Sequence, residues 1–477
     1  MLRKKLLNLR HRQYIYCICA IATTAAASIH DSWSSTFLPQ IRSKNSPIGV
    51  ILNTIQSSTV VSMNGVGGTL GSIITIWIMD IFGRKAVLIA AGSCNLISWA
   101  LMYFANGIEI LCISRILGGI AIGLSLNCGT VYLGEISHND NRGRLNFLMT
   151  ILRLFGTDIG FIIGPYVSFK TFALLSVGAS IIPVISTCII PESPYHLIKK
   201  GKKEKAKTVI KKLANDATDE NSLEKEFQDI SFSVEKDMRN KGTIYELLTN
   251  KIYRRSLLIH LGLKMIFVCC GNVVIKSYMQ TIIKATGSSM SSNTASVIFG
   301  IISFISAITS GQLIDRFGRR PLLMVSSLLC SISMFCLGLY FYLQNATSFN
   351  IDSISWLPVT SLMLFEVFVA IGILSIHYVI AAELYPINIK GVAVSALAFL
   401  AQALAMALQF SFEPLSEILG EYTCLWFFSV CCLLGFLFGL FILPETKGKS
   451  FDEIQRIFNR RKSEKIIRSK NEEAGRF

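Results

Sequence analysis

Long apolar runs, separated by short polar segments, recur along the whole chain. Each run has about 19 to 27 residues, and about 20 apolar residues in a helix are enough to cross the hydrocarbon core of a bilayer. Helices buried in soluble proteins are usually shorter than this. The pattern therefore predicts twelve membrane-spanning helices, at about residues 14–32, 58–79, 86–106, 109–132, 146–167, 171–190, 256–282, 294–314, 321–343, 356–380, 391–412 and 424–443.

The composition supports a membrane protein. Hydrophobic residues make up 52% of the 477 residues and charged residues only 16%, whereas a soluble protein has about 25% charged residues. The high hydrophobic fraction and the low charged fraction together exclude an ordinary soluble domain. We therefore predict an all-α membrane protein whose twelve helices form two six-helix bundles.

The basic residues lie on one side of the predicted membrane. With twelve spans, the clusters of Lys and Arg all fall in alternate segments, namely the N-terminus, 84–85, 142–144, 199–255, 316–320 and the segment after 447. Short loops rich in Lys and Arg stay in the cytoplasm. We expect both termini to be cytoplasmic and the protein to lie in the plasma membrane. The net charge of +16 needs no nucleic-acid partner, because the charges flank the lipid bilayer.

One long polar stretch interrupts the apolar runs between the sixth and seventh spans. Its apolar residues recur at helical spacing, which favours small cytoplasmic helices over a solvated linker, although the pattern leaves both open. The predicted parts of the chain are a cytoplasmic N-terminus, an N-terminal bundle, a helical linker, a C-terminal bundle and a cytoplasmic tail, at residues 1–13, 14–194, 195–255, 256–443 and 444–477.

A set of short motifs occurs twice in the same order, 235 to 253 residues apart. The sequence Asp-Ile-Phe-Gly-Arg-Lys at 80–85 returns as Asp-Arg-Phe-Gly-Arg-Arg at 315–320. The spacing from Glu135 to Arg142 returns from Glu383 to Lys390, and Pro-Glu at 191–192 returns at 444–445. Two apolar halves that carry the same motifs are typical of a membrane transporter built from repeats.

The first motif suits a tight turn between two membrane spans. Glycine allows the turn, and the arginines can remain in the wet headgroup zone. The aspartate can accept hydrogen bonds from backbone N–H groups at a helix N-terminus, where the helix dipole favours negative charge. Because two copies stand at equivalent positions, we interpret the motif as a moving part and not only as an anchor that fixes topology.

These motifs, with Arg115-Ile-Leu-Gly-Gly119 and Pro444-Glu-Thr-Lys-Gly448, resemble those of the sugar porters in the major facilitator superfamily. The resemblance covers about residues 14–458. The segment Trp33-Ser-Ser35, with Leu38-Pro39 beyond it, is similar to the insect facilitated trehalose transporters.

The resemblance implies two bundles around a central cavity, one solute site near the membrane midplane, and alternating access. It also implies that the repeated charges form a cytoplasmic gate that closes when the charges of the two halves pair. A bistable element of this kind is reasonable, because partly buried charges are costly to leave unpaired. The expected gate residues are Asp80, Arg84, Glu135, Arg142 and Glu192 in the first half and Asp315, Arg319, Glu383, Lys390 and Glu445 in the second. Lys390 stands where the family has arginine, and lysine lacks arginine's bidentate geometry.

The solute site is where the chain departs from the family. The paired glutamines of the seventh span are replaced by Phe267 and Val268, and the Asn-Trp of the eleventh span by Ala401 and Gln402. By position, the expected solute-binding residues are Thr150, Asn272, Tyr378 and Gln402. Polar residues that are unusual inside spans are further candidates: Arg153, Asp158, Lys264, Lys276, Glu366 and His377. Lys276 is expected near the outer end of its span, and Arg153 and Asp158 stand too far apart around a helix to be assumed a pair.

The residues and the resemblance together favour a monomeric uniporter for a sugar such as trehalose or glucose, or for a related small solute. Family members that use a proton often carry an aspartate where this chain has Ser34, although His30-Asp31 keeps a proton symporter open. A non-transporting solute sensor is the alternative from another class. We expect no enzyme activity, cofactor or metal site, because the sequence shows no nucleophile–base set, phosphate loop or metal-ligand spacing. Asn345-Ala-Thr is a candidate glycosylation site.

Overall fold

Helices account for nearly all of the chain in the computed structural model, which describes residues 11–137, 139–214, 220–239, 244–288, 290–346, 352–385, 387–447 and 453. No β-strand occurs within these ranges. The helices are α1 His11–Ser28, α2 His30–Ile41, α3 Thr54–Phe82, α4 Arg84–Tyr103, α5 Ile108–Ile136, α6 Asn139–Ile163, α7 Phe169–Ile189, α8 Pro194–Lys199, α9 Lys203–Leu213, α10 Glu220–Arg239, α11 Ile244–Thr249, α12 Lys251–Cys269, α13 Asn272–Ala285, α14 Ser292–Phe317, α15 Arg319–Ala346, α16 Leu357–Phe368, α17 Leu374–Glu383, α18 Ile387–Leu419 and α19 Glu421–Phe441.

Eleven helical segments within the described ranges are long and apolar enough to cross a membrane. The first predicted span is not among them, but α1 and α2 follow each other through Ile29, which keeps helical backbone angles. Together they form the twelfth crossing. This crossing runs to Ile41, beyond the predicted end at residue 32. The prediction was too short because His30 and Asp31 seemed to mark a membrane boundary, whereas both lie inside the bundle.

The helices form two bundles of six crossings. In the first, α3 packs along α5 and α4 lies between α5 and α7; in the second, α15 packs along α19 and α16. The two bundles meet where α3 contacts α18, α6 contacts α14, and α2 contacts α13. These three pairs of helices form the seam along which the halves join.

Glycines let α3 and α5 approach closely. A β carbon on Gly71 would lie 2.5 Å from the carbonyl oxygen of Ile120, and one on Gly123 would lie 2.7 Å from that of Gly68. Neither side chain could be accommodated without moving a backbone. The glycine-rich segment of α3 therefore serves helix packing and is no phosphate-binding loop.

Two crossings of the second half are interrupted near their middle. The seventh breaks between α12 and α13 at Gly271, whose φ of +88° is left-handed. The tenth contains a π-helical turn, Val369–Ile373, between α16 and α17. π-turns occur often at functional sites, and both breaks lie beside the polar residues described below.

The linker between the halves is helical where the structure describes it. Helices α8, α9 and α10 pack together through a small apolar cluster that includes Leu197, Ile210 and Phe227. Lys207 of α9 pairs with Glu224 of α10 at 2.8 Å and lies over the Phe227 ring. A freely solvated linker would show no such cluster.

Candidate functional site

The first copies of the repeated motifs meet in one charged cluster. Arg84 donates from Nη2 to Glu135 at 2.7 Å, and its backbone N–H donates to Glu192 at 2.8 Å. Arg84 Nη1 also donates to the carbonyl of Met79 at 3.3 Å. Arg84 is 6% exposed, so the guanidinium is held on several sides and the turn that carries it is fixed.

The second copies form the same arrangement. Arg319 donates from Nη2 to Glu383 at 2.9 Å, and the backbone N–H groups of Arg319 and Arg320 donate to Glu445 at 3.1 and 3.0 Å. Arg319 Nη1 donates to the carbonyl of Ile314 at 3.4 Å. The repeat in the sequence is therefore a repeat in three dimensions. We call the end of the bundle that carries both clusters the motif end.

A glycine opens each turn. Gly83 has φ of +95° and Gly318 has φ of +86°, which side-chain-bearing residues rarely adopt. The carboxylate of Glu192 occupies the space that a β carbon on Gly83 would need, and Glu445 lies 2.8 Å from the equivalent position on Gly318. The glutamates thus satisfy the first N–H groups of α4 and α15, which lack partners within their helices.

The first cluster has additional partners. Asp80 pairs with Lys199 of α8 at 2.6 Å, and the Nδ1 atom of His196 lies 3.1 Å from Arg84 Nη1. Burial, together with the charge of Arg84, lowers the pKa of His196. The imidazole is therefore neutral at pH 7, and Nδ1 can accept the bond from Arg84. These contacts attach helix α8 of the linker to the first cluster.

The expected network between the halves cannot be traced through the described side chains, which show pairs within each half. Arg84 and Arg319 each pair with glutamates of their own half, and among the described side chains no ion pair joins the two clusters. The side chains of Arg142, Asp315 and Lys390 lie outside the described part of the chain. The pairing of the halves at the motif end stays a prediction.

The halves are held together at the opposite end. Arg42 at the end of α2 pairs with Glu413 of α18 at 2.7 Å, and Ser58 of α3 donates to the same carboxylate at 3.3 Å. Ser35 accepts from the Gln280 backbone N–H at 3.2 Å. The apolar pattern did not predict this cluster, because Glu413 falls one residue past the predicted end of the eleventh span, whereas α18 continues to Leu419.

The expected glycosylation residue also lies at the opposite end. Asn345 stands at the exposed end of α15 and donates to Glu421 at 3.2 Å. Its modification stays a prediction.

The four expected solute-binding residues have different surroundings. The Thr150 hydroxyl is exposed and donates to the carbonyl of Asn146 in its own helix, and Gln402 is exposed beside Gly68. Asn272 is buried after the Gly271 break, and its Oδ1 has no hydrogen-bond partner. Tyr378 is 48% exposed. No hydrogen bond or ring contact joins any two of these four described residues, so their role as one solute site stays a prediction.

The positions that lost the family's amides are filled by apolar packing. Phe267 stacks on His377 with ring centroids 4.3 Å apart, and His377 contacts Tyr378 at 3.9 Å. Val268 packs against Ala401 in a small apolar cluster. Lys264 lies over the Tyr378 ring at 5.4 Å. Aromatic rings and a cation of the second half therefore stand where the family resemblance predicts hydrogen-bonding amides.

A group of charged side chains lies in the middle of the spans. Lys276 of α13 pairs with Glu366 of α16 at 2.8 Å, and Arg153 of α6 lies 3.8 Å from Asp31 of α2. Lys276 was expected near the outer end of its span. It stands nine residues before the end of α13 at Ala285, its side chain is 13% exposed, and its ammonium has a carboxylate partner.

Asp158 is the most unusual member of this group. It is 1% exposed, and neither carboxylate oxygen makes a hydrogen bond of good geometry, although the Ser303 hydroxyl and the side chains of Lys276, Glu366 and Arg153 all interact with it. A buried acceptor that lacks a donor costs about 1–3 kcal/mol, so such a group needs an explanation in function.

His30 and Asp31 are neighbours in sequence with different surroundings. His30 is fully buried and stacks on Trp99 at 4.0 Å, and Ser98 lies within 3.2 Å of its Nε2. Asp31 instead accepts from Asn64 at 3.4 Å and faces Arg153. His30 therefore belongs to the packing of the first half, while Asp31 belongs to the seam. Within the described ranges, no three His, Cys, Asp or Glu side chains are placed to hold a metal ion.

Comparison with known proteins places this arrangement in a family. Two similar proteins are facilitated trehalose transporters Tret1: that of Polypedilum vanderplanki is 29% identical over 93% of this chain and 88% of its own, and that of Bombyx mori is 28% identical over 86% and 82%. The inward open structure of the xylose transporter XylE from E. coli has the same fold, with a TM-score of 0.76 at 17% identity over 93% of this chain and 99% of its own.

The sequence model of the family described as sugar (and other) transporters matches residues 12–458. Because that match covers nearly the whole chain, the protein belongs to the sugar (and other) transporter family.

Proposed function

We propose that the protein is a facilitative transporter that moves a sugar, such as trehalose, or a related small solute across a membrane by alternating access. The observation that carries this proposal is the pair of equivalent charged clusters, Arg84–Glu135–Glu192 and Arg319–Glu383–Glu445, at one end of two matching bundles. A protein that did not alternate would have no need of two such turns. The names of the similar Tret1 proteins support a sugar as the cargo.

The structure suggests how the two ends alternate. Here the halves touch at the opposite end through Arg42 and Glu413, while at the motif end Arg84 and Arg319 pair with glutamates of their own halves. In the other state, we expect the motif end to close by pairing across the halves and the opposite end to open. The solute would then be exposed to one side of the membrane at a time.

We propose that the motif end faces the cytoplasm and that the membrane is the plasma membrane. The basic loops and the linker helices lie at this end, as the positive-inside rule requires. The lipid bilayer is then the only partner needed besides the solute.

The test is uptake of radiolabelled trehalose, glucose, fructose and polyols into proteoliposomes that contain the purified protein, at two external pH values. We expect saturable uptake of at least one sugar that equilibrates without an ion gradient and changes little with pH. The matched control is Arg84→Ala with Arg319→Ala, which should abolish uptake while the protein is still incorporated.

Two results would overturn the proposal. Correctly incorporated protein that transports none of these solutes would favour the sensor. Uptake that accumulates the solute only when a proton gradient is imposed would favour a symporter.

A further inference from the structure

A groove lies between α15 and α19 of the second half. Its volume is about 360 Å³, which is within the range of small-molecule sites. Its walls are apolar, with Arg320 at the motif end. Neither α15 nor α19 belongs to the seam between the halves, so the groove is separate from the space in which a solute would cross.

The α15 side of the groove is one stripe of apolar side chains. Pro321, Val325 and Leu328 recur at helical spacing, and Phe436 of α19 forms the facing wall. Val325 is 55% exposed, and Pro321 is exposed as well. Because the seam lies on other helices, these exposed side chains face the hydrocarbon of the bilayer. The groove is therefore open to an acyl chain.

The groove has nearly the length of one lipid leaflet. From Arg320 to Leu328, α15 rises about 12 Å at about 1.5 Å per residue, and half of a hydrocarbon core is about 15 Å thick. Arg320 is the second residue of α15, so it stands at the level of the headgroups, while Leu328 lies deep in the leaflet. A chain in the groove would therefore carry its headgroup beside Arg320.

The Arg320 side chain has donors left for a headgroup. Its Nε donates to the carbonyl of Gly439 at 3.0 Å and its Nη2 to that of Leu440 at 2.6 Å, which fixes the guanidinium over the last turn of α19. A guanidinium has five N–H donors, so three are left after these two bonds. Arg319 pairs with Glu383, whereas the side chain of Arg320 pairs with no carboxylate in the described part of the chain.

Other cations stand at the same end of the groove. Arg316 and Lys447 are exposed, and Lys447 donates to the carbonyl of Arg316 at 3.0 Å. The neighbouring carboxylate of Glu445 is already bound by backbone N–H groups. Apolar contacts alone would select no lipid, because a chain that enters the groove leaves surroundings that are equally apolar. The cations therefore decide the class of lipid, and they favour an anionic headgroup.

We propose that the groove between α15 and α19 binds an anionic phospholipid, with an acyl chain against Val325 and Phe436 and the headgroup on Arg320. The inference goes beyond transport and rests only on the orientation proposed above, since anionic lipids are found in the cytoplasmic leaflet. The phosphate oxygens accept from the remaining N–H donors of Arg320, a pairing for which a guanidinium is well suited. Because Arg320 follows Arg319, the bound lipid lies beside the second charged cluster.

The test is native mass spectrometry of the purified full-length protein, titrated with dioleoylphosphatidylserine or with dioleoylphosphatidylcholine, which has the same chains and no net charge. We expect the Kd of the first bound lipid to be about fivefold lower for the serine lipid, the factor that one arginine contributes at a membrane surface. Arg320→Gln should remove this preference, and Arg320→Lys should retain most of it. The matched control is Lys85→Gln at the equivalent position of the first half, where Nζ donates to the Cys188 carbonyl; it should leave both Kd values unchanged.

A second variant tests the groove separately from the charge and does not depend on the stability of Arg320→Gln. Val325→Phe places a ring where the acyl chain would lie and keeps Arg320. We expect the affinity for the serine lipid to fall several-fold while the melting temperature in detergent stays near that of wild type, because the position is exposed. If Val325→Phe binds the serine lipid as wild type does, the chain does not lie in the groove and the proposal is wrong.

Three further results would overturn the proposal. Equal affinity of wild type for the two lipids would mean that charge selects nothing. Equal losses in Lys85→Gln and Arg320→Gln would indicate a general attraction to the basic end of the bundle. Competition by glycerophosphoserine, the headgroup without chains, at the concentration of the intact lipid would indicate a site for a soluble anion. Each of these results leaves sugar uptake untouched, so failure of the lipid site and failure of transport are distinguishable.

Discussion

Two glutamates, Glu192 and Glu445, each complete the turn that follows a membrane-spanning helix. Glu445 accepts backbone N–H bonds at the start of α15 and from Lys447. Partial burial alone would raise the pKa of Glu445, but the N–H donors of Lys447, Arg319, Arg320 and Thr446 outweigh it and lower the pKa. The carboxylate form therefore stabilises the fold above the pKa of an unfolded glutamate, about 4.3, and this contribution is lost as the pH falls through the lower folded pKa.

We predict that Glu445→Gln lowers the melting temperature in detergent at pH 7, and that its difference from wild type narrows as the pH falls below about 4. The measurement is thermal unfolding between pH 7 and pH 3.5. Glu226→Gln, on the exposed face of α10, is the control and should show no such dependence. A difference in melting temperature between Glu445→Gln and wild type that stays constant with pH would show that the carboxylate charge does not stabilise the fold.

Arg84 contacts groups of three kinds, a carboxylate, a carbonyl and an imidazole. Lysine keeps the charge but cannot reach several partners in fixed directions. We predict that Arg84→Lys destabilises the protein by about 1.5–3 kcal/mol, the value of a hydrogen bond to a charged group, and lowers the maximum rate of uptake. Arg144→Lys, at an exposed site, is the matched control; an equal loss in both variants would contradict a specific role for Arg84.

Single residues show what could be predicted from the sequence and what could not. That Arg84 and Arg319 stand in equivalent clusters follows from motifs that occur twice, whereas their pairing with glutamates of their own half was not predicted. The partner of Lys276 could not be predicted either, because its position along a helix says nothing about Glu366, which lies 90 residues away in sequence. Arg153 was found to face Asp31, as only the tertiary structure could show.

Among the helical elements, the seventh crossing depends on one backbone conformation. Gly271 is left-handed, and a β carbon there would lie 2.6 Å from the Phe428 ring. A left-handed residue with a side chain costs about 1–2 kcal/mol, and the ring contact adds to this.

We predict that Gly271→Ala lowers the melting temperature more than Gly287→Ala does. Gly287 also has positive φ, but no atom lies within 4 Å of its added β carbon. The difference between the two variants in thermal unfolding measures the contact with Phe428. Equal decreases in melting temperature would mean that the left-handed backbone angle at Gly271, and not the contact with Phe428, accounts for the loss of stability.

Helix positions were predicted well because spans of 20 or more apolar residues leave few alternatives. The interruptions within the helices were not predicted. Neither the left-handed turn at Gly271 nor the π-turn at Val369–Ile373 has a distinct hydrophobic pattern, since both keep apolar residues on all sides. The end of the first crossing was also predicted wrongly, because charged residues such as Asp31 suggested a membrane boundary, whereas paired charges can lie inside a bundle.

For the molecule as a whole, the contacts between the halves decide which end is closed. Apolar patterns and motifs carry no information about which residues of the two halves touch, so the sequence could not indicate the contacts that join the halves at the opposite end. The ion pair of Arg42 with Glu413 is the main charged contact described there. Glu413 is 5% exposed, and removing one member would leave a buried charge unpaired.

We predict that Arg42→Glu slows uptake by preventing closure of the opposite end, and that adding Glu413→Arg restores it. The measurement is the initial rate of solute uptake at equal amounts of incorporated protein. Lys44→Ala removes an exposed cation two residues away and should have little effect. A double variant no better than Arg42→Glu would show that the pair does not hold the halves together.

The interaction of Asp158 in the first half with Lys276 in the second has a consequence for how the protein is made. The ribosome synthesises Asp158 first, and Lys276 follows it by 118 residues, a delay of roughly 6–24 s at 5–20 residues per second. Until α13 is inserted, the first half holds the Asp158 carboxyl group in the membrane without the Lys276 ammonium. The first half therefore cannot reach its final state until the second has been inserted beside it.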